Sequence, residues 1–367
     1  MYAYVGSFSY HGAEGITVCD YDPETGTLHP LKTVGESLNA SSLTVHGGRL
    51  YSTDEQLFSG GTPGGGVVSF DIDPATGDLR ETKHIGTLAM NTSSVTFDGT
   101  GQYMIVTHFA ISAPCVKVVR DGERSWHTET VFPDTITSLY RVNADGTPGE
   151  LRDVHIHPVT DGRKPSFIHK AFQAPGQNLY AYGNLGGDYI GFFRINYQKE
   201  WLEMLHTAAC KEGSGPRHLA FHPTLPYLYL NYEQNGAISR FRYTETECIH
   251  VGDTPVLPKG TEMDRSYNQS EILVSADGTR LYNLIRGLGQ LLALQIDSDG
   301  ALSLIQTVQL EGHTARGAAF SPDGRHLLVA ETDAESVVTY QIRSDGTLEK
   351  RAVSEPIPHP ASIVFFQ

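Results

Sequence analysis

Residues 213–233 read G-S-G-P-R-H-L-A-F-H-P-T-L-P-Y-L-Y-L-N-Y-E. A short apolar run, Leu219 to Phe221, is followed by the turn His222-Pro223-Thr224-Leu225-Pro226 and a β-rich run from Tyr227 to Tyr232. Two apolar β runs across a proline-containing turn predict a hairpin. Arg217 and His218 stand at its start and Glu233 at its end. A hairpin joins its two ends, so a guanidinium, an imidazole and a carboxylate should meet at one rim. Taken alone, each could equally be a solvated charge at a strand end.

The hairpin recurs along the chain. A turn followed by a buried strand appears at Ser321-Pro322-Asp323-Gly324, Ser275-Ala276-Asp277-Gly278, Ala174-Pro175-Gly176, Gly99-Thr100-Gly101 and, more weakly, His46-Gly47-Gly48. Most copies continue into an alternating strand, a turn and a last strand, as in Val67 to Ile72 leading to Thr76-Gly77-Asp78-Leu79. Each unit is thus four short strands over ~40–50 residues, the period of a propeller blade. Six full units start near residues 38, 91, 166, 214, 268 and 313. The residues before them hold only the later strands of a unit, and the apolar C-terminal run 361–366 supplies the missing inner strand. An all-β, seven-bladed β-propeller closed by its two terminal strands follows, as a single domain over 1–367. An eighth blade hidden in the long unit from 91 to about 160 is the alternative. The preferred reading there is an insertion at 110–134, with a smaller one at 58–66 on the same face.

Thirty-eight glycines, nineteen prolines and eighteen tyrosines suit many short strands and turns, and 19% charged residues fit a globular chain. A formal charge of −15 argues against nucleic acid and anionic membrane surfaces as partners, so an anionic ligand would need a local basic pocket. No apolar run approaches the length of a membrane span, and Met1-Tyr2-Ala3-Tyr4-Val5 lacks a basic region followed by an apolar core. A cytoplasmic monomer or weak homo-oligomer is expected. Cys19, Cys115, Cys210 and Cys248 are scattered, which favours free thiols over a zinc site.

Counting eight residues on from the turn position in each unit reaches Thr332, Arg286, Glu233, Asn184 and Phe109, with Glu55 the equivalent in the second unit. Such positions form a ring around the channel. A neighbouring ring, just before each first strand, holds His169, Arg217-His218, Ser270-Glu271 and Arg316. Charges so near the axis are costly unless they pair with each other or with a ligand. A satisfied ion-pair network that merely fills the channel is the competing structural account.

The run at 213–233 resembles the signature of the lactonase family of seven-bladed propellers, which includes propeller-type 6-phosphogluconolactonases and carboxy-muconate lactonising enzymes. The similarity extends to Asn184-Leu185-Gly186-Gly187-Asp188, to Ser270-Glu271-Ile272 with Ser275-Ala276-Asp277-Gly278, and to Ala315-Arg316-Gly317-Ala318-Ala319-Phe320. Asn184 stands where the family has Asp, Leu273 where it has His, and Leu284-Ile285 where it has Ser/Ala-Asn. The resemblance implies a catalytic set of His169, Arg217, Glu233 and Arg286, with His218, Arg316, Asn184 and Glu271 binding substrate. It implies no cofactor and no metal, although ring positions on distant blades could still assemble metal ligands. The implied partner is a small anionic lactone, and the implied activity is a 6-phosphogluconolactonase-like ester hydrolysis in the pentose phosphate pathway. A muconate-type lactonising cycloisomerase and a non-catalytic scaffold are the alternatives. Lactone hydrolysis needs a base for water and donors for the oxyanion, which Glu233 or His169 and the two arginines could supply. Glu233 is the favoured base, with His169 donating a hydrogen bond. Glu233→Gln is then expected to abolish activity with folding intact. A histidine base predicts an activity rise near pH ~6–7 and a carboxylate base one well below it.

Overall fold

A computed structural model describes residues 1–9, 14–109, 115–123, 125–158, 165–261, 264 and 266–366. Seven four-stranded antiparallel meanders form the blades of a ring. The hairpin at 213–233 makes the two inner strands of blade 5, Pro216–Phe221 and Tyr227–Tyr232, followed by Ala237–Tyr243 and Cys248–Pro255. Blade 1 combines Tyr2–Ser7, Ile16–Tyr21 and Leu28–Val34 with the C-terminal strand Pro360–Phe365 as its innermost member. Tyr4 pairs with Val364 and Val5 with Ile363, so the ring closes as expected.

Apolar residues alternate onto both faces of each blade and bury themselves between neighbours. The seven buried clusters fall one to each blade junction: Leu219, Leu228 and Phe241 of blade 5 pack on Ala181, Ile190 and Phe192 of blade 4, and Ile363 and Val5 of blade 1 pack on Leu328 and Ala330 of blade 7. Seven junctions decide the blade count. The tyrosine content has a specific use here. Tyr4, Tyr51, Tyr229 and Tyr282 each send a hydroxyl across a junction to the turn-glycine carbonyl of the next blade, at Gly77, Gly146, Gly300 and Gly346. Those glycines have φ between +72° and +84°, a conformation that costs other residues strain.

The insertion between the second and third strands of blade 3 adds no eighth blade. It forms a separate hairpin, Cys115–Asp121 with Ser125–Val131; residues 110–114 and Arg124 lie outside the described residues. The smaller insertion in blade 2 is the two-residue ladder Phe58–Ser59 with Thr62–Pro63. Both leave the ring between second and third strands, the end at which Glu233 also sits. The four cysteines are free. No helix among the described residues is long and apolar enough to cross a membrane.

Candidate active site

The inner strand of blade 5 is irregular where its function-bearing residues lie. Pro216 pairs with Tyr232 and Leu219 with Leu230, so Arg217 and His218 together face Asn231 alone. Such a bulge re-aims side chains that a regular pleat would send to opposite faces. The Asn231 amide holds it open: its oxygen accepts the His218 N–H at 3.0 Å, and its nitrogen donates to Asn283 Oδ1 at 3.0 Å. The same one-residue slip occurs in the inner strands of blades 1, 3, 6 and 7. Arg217, His218, Ser270, Glu271 and Arg316 therefore lie within inner strands, at their bulges, and not just ahead of them as the sequence suggests. A second device fixes the loop before Arg217. Asp188 accepts the N–H groups of Gly213 and Gly215 at 2.8 and 2.9 Å, and Gly215 in turn accepts the Glu233 N–H at 2.8 Å. Gly183 keeps blade 4 close: a Cβ there would meet the Arg217 carbonyl at 2.9 Å.

His169, Arg217, Glu233 and Arg286, from blades 4, 5 and 6, converge on one carboxylate oxygen. Glu233 Oε1 accepts from Arg217 Nε and Arg286 Nη2, both at 3.0 Å, and lies 3.3 Å from His169 Nε2. The imidazole is out of line for a hydrogen bond, and His169 Nε2 and Arg286 Nε have no hydrogen-bond partner among the described residues. Arg217 crosses to blade 6 to donate to the Ser270 carbonyl. Phe109, the ring position of blade 3, packs against the His169 ring, centroids 4.4 Å apart and planes tilted by 36°, and limits its rotation. Glu233 and His169 keep 19% and 17% of their side chains exposed, enough for a ligand to touch them.

Beside this cluster a cavity of about 390 Å³ occupies the channel, a size suited to a small metabolite. His169 and Arg217 form part of its wall; Glu233 and Arg286 do not. The wall also carries Glu55, Lys170, His218, Glu271 and Arg316 among apolar inner-strand side chains. His218 Nδ1 and Glu271 Oε1 pair at 2.9 Å, and the Arg316 guanidinium lies over the Phe8 ring at 4.1 Å. Asn184 is elsewhere. Its fully buried amide holds the loop at Ser166 and Phe167 and caps Gly187, a positioning role within blade 4. Glu55 stands on the ring by the repeat count without being taken as a site residue, and Asp188 stands in the family-like run 184–188 without a role assigned to it. Lys170 has no signal outside the fold.

Electrostatics separates these groups. Burial works against ionisation of Glu233, but His169, Arg286 and Arg217 overcome it and hold its carboxyl well below the usual range. Burial and the Arg217 charge push His169 down to about 3, so its imidazole is neutral at physiological pH. Burial raises Glu55 to about 7, with Ser41, Arg316 and Arg217 opposing it. Burial also lowers His218 to about 4, His108 to about 4 and His157 to about 3.

These four histidines make a stability prediction. Below their unfolded pKa of about 6.5 the unfolded chain takes up protons that the folded chain refuses. Stability is expected to fall as pH drops from about 6.5 toward 4, by on the order of 2 kcal/mol for each histidine by about pH 5. Glu55 and Glu331 work the other way, since burial raises their folded pKa and favours the native state at low pH, but they are outnumbered by these four histidines together with His155 and His326, which burial also lowers. A melting temperature that stays level or rises between pH ~7 and ~5 would contradict this account.

The family model described as "Lactonase, 7-bladed beta-propeller" matches residues 2–365. The chain is 26% identical to the 6-phosphogluconolactonase of Formosa agariphila over 347 residues, 92% of this chain and 91% of that one. It is 22% identical to the 6-phosphogluconolactonase of Bacillus subtilis over 372 residues, 99% and 97% of the two chains. Among solved structures, the periplasmic gluconolactonase PpgL of Pseudomonas aeruginosa superposes with a TM-score of 0.85 at 22% identity, covering 100% of this chain and 99% of the other. A putative 6-phosphogluconolactonase from Bacteroides fragilis gives 0.80 at 20% identity, covering 100% and 98%. A match that runs from the first blade to the closing strand, on a chain whose seven sheets close in this way, makes it a member of the lactonase family of seven-bladed β-propellers.

Proposed function

We propose that the chain hydrolyses the lactone ring of a phosphorylated sugar acid, the activity named for its relatives, in the cytoplasm where such a substrate would be met. The observation that carries this reading is the concentration of cations at the channel. Lys170, Arg217, Arg286 and Arg316 stand against Glu55, Glu233 and Glu271, in a chain whose formal charge is −15. A local basic site in an acidic protein favours a small anion over any polyanionic surface. In this reading Arg217 faces the carbonyl oxygen, where its fixed donors stabilise the developing oxyanion, and Arg286 holds the shared Glu233 carboxylate beside it. Lys170 and Arg316 take the anionic group. Neutral His169 offers a hydrogen bond to the substrate from the cavity wall. His218, Glu271 and the bulges keep that wall in place. Glu233 anchors both arginines through a single oxygen, which leaves it poorly suited to take a proton.

The test is hydrolysis of 6-phosphogluconolactone and of glucono-δ-lactone, each with spontaneous ring opening subtracted. The expected result is catalysis of both, with kcat/KM at least ~10-fold higher for the phosphorylated ring, as one well-placed charge-assisted contact supplies. Equal values would remove the phosphate from the reading, and no rate above the spontaneous one would remove the lactonase.

A further inference from the structure

Lactone hydrolysis moves one proton twice. Water loses it as its oxygen attacks the carbonyl carbon, and the ring oxygen gains it as the carbon–oxygen bond breaks. Among the groups already placed at the site none is well suited to carry it. The Glu233 carboxylate is committed to two guanidinium groups. His169 is held neutral and weakly basic by burial and by Arg217. His218 and Glu271 are tied to each other.

Glu55 differs from all of these. It and Glu271 are the two carboxylates on the cavity wall, and Glu55 takes part in no ion pair among the described residues. Its backbone is fixed on both sides: its N–H donates to the Asn39 carbonyl at 3.0 Å, and its own carbonyl accepts from Asn39 Nδ2 at 3.0 Å. Ser41, also on the wall, stands beside its carboxyl, with its own hydroxyl paired with Thr53 Oγ1 at 3.2 Å. Glu55 occupies in blade 2 the place that Glu233 occupies in blade 5, directly after the second strand. Blade 2 is three blades from blade 5 in one direction and three from blade 6 in the other. The carboxyl therefore approaches the cavity from across the channel, opposite the two arginines.

We propose that Glu55 is the proton-transferring catalytic residue of this site, taking a proton from the attacking water and returning it to the ring oxygen. The step balances without any co-reactant: water adds across the ester bond, and the carboxylate is regenerated. A lactone between the two walls would present its carbonyl oxygen to Arg217 and its open face to a water held by Glu55. The charged and titratable groups sharing that cavity are His169, Lys170, Arg217, His218, Glu271 and Arg316. Their sum is cationic, yet burial keeps the Glu55 carboxyl near 7, where a proton carrier is most effective.

This proposal rests on the lactone-hydrolysis reading, and the experiment separates the two. The pH dependence of kcat/KM is measured for the wild type, Glu55→Gln, Glu55→Asp and His169→Asn, on whichever lactone the wild type opens. Wild-type activity is expected to rise through about pH 7. Glu55→Gln should lose that rise and ~10²–10⁴-fold of kcat, while keeping its melting temperature and most of its KM. Glu55→Asp should restore the rise with part of the rate. A wild type inactive on every lactone overturns the functional reading and this step with it. An active wild type with Glu55→Gln within threefold, or with a rise that survives in Glu55→Gln and vanishes in His169→Asn, overturns the proton-transfer role alone. A higher KM with unchanged kcat would make Glu55 a positioning residue for Arg316, and would overturn it as well.

Discussion

A chain ending at residue 358 is expected not to fold. It lacks Pro360–Phe365, the innermost strand of blade 1, whose backbone pairs with Ala3, Tyr4, Val5, Gly6 and Ser7 of the second strand. The loss reaches beyond those pairs. Ile363 belongs to the cluster between blades 7 and 1, Val364 packs on the cluster between blades 1 and 2, and the Pro360 carbonyl accepts the Thr332 hydroxyl of blade 7. Ile363, Val364, Phe365 and Phe366 are lost together, and at up to roughly 1.5–3 kcal/mol each they consume much of the ~5–15 kcal/mol that separates a folded domain from an unfolded one. The cut also exposes the Tyr2–Ser7 edge and opens two junctions at once. Circular dichroism of the truncated chain should show no cooperative melt near that of the full chain. A synthetic peptide of residues 358–367 should restore part of it. A truncated protein melting within a few degrees of the full one would show that the terminal strand is dispensable.

Glu233→Gln is expected to damage both activity and stability. The sequence alone favours an isosteric change that only removes a proton acceptor. The structure gives the carboxylate another duty, since its Oε1 compensates Arg217 and Arg286, whose side chains are only 5% and 14% exposed. Removing one member of a buried ion-pair group leaves charge uncompensated and costs about 3–5 kcal/mol. The arginines would then relax away from their fixed directions, and a misaligned donor pair loses ~10²-fold or more in rate. The double variant Glu233→Gln/Arg286→Gln should be more stable than Glu233→Gln alone, because one of the two stranded charges is gone. Additive stability losses in that cycle would mean that Glu233 and Arg286 are energetically independent, against their 3.0 Å contact.

The ring was legible because each blade repeats its punctuation. Turns such as Ser275-Ala276-Asp277-Gly278 and Ser321-Pro322-Asp323-Gly324 fix the register of the strands that follow, and the half-unit before residue 38 asks for a partner that 361–366 can supply. The convergence of His169, Arg217, Glu233 and Arg286 was legible for the same reason, since equal positions in equal units must share one end of the channel. What the sequence hides is local. A bulge shows only when two strands are laid side by side: nothing in P-R-H-L announces that Arg217 and His218 share a single opposite residue. Protonation is hidden too, because it depends on burial in three dimensions. From model values a histidine base titrates near neutrality and a carboxylate well below it. Here the order is reversed, with His169 at about 3 and Glu55 at about 7, both because burial disfavours their charged forms.

The closing strand also has a consequence in time. Ribosomes deliver Tyr2–Ser7 well before Pro360–Phe365. At ~5–20 residues per second, the stretch between the two strands takes on the order of 20–70 s. Through that interval Tyr2–Ser7 can pair with Ile16–Tyr21 on one side only. Its other side is a bare ladder of N–H and C=O groups flanked by apolar Ala3 and Val5, a template for any neighbouring strand. The contact that leaves the finished ring without an edge thus gives the nascent chain one until the closing strand is made, and yield in the cell should depend on how well that first strand is shielded until its partner arrives.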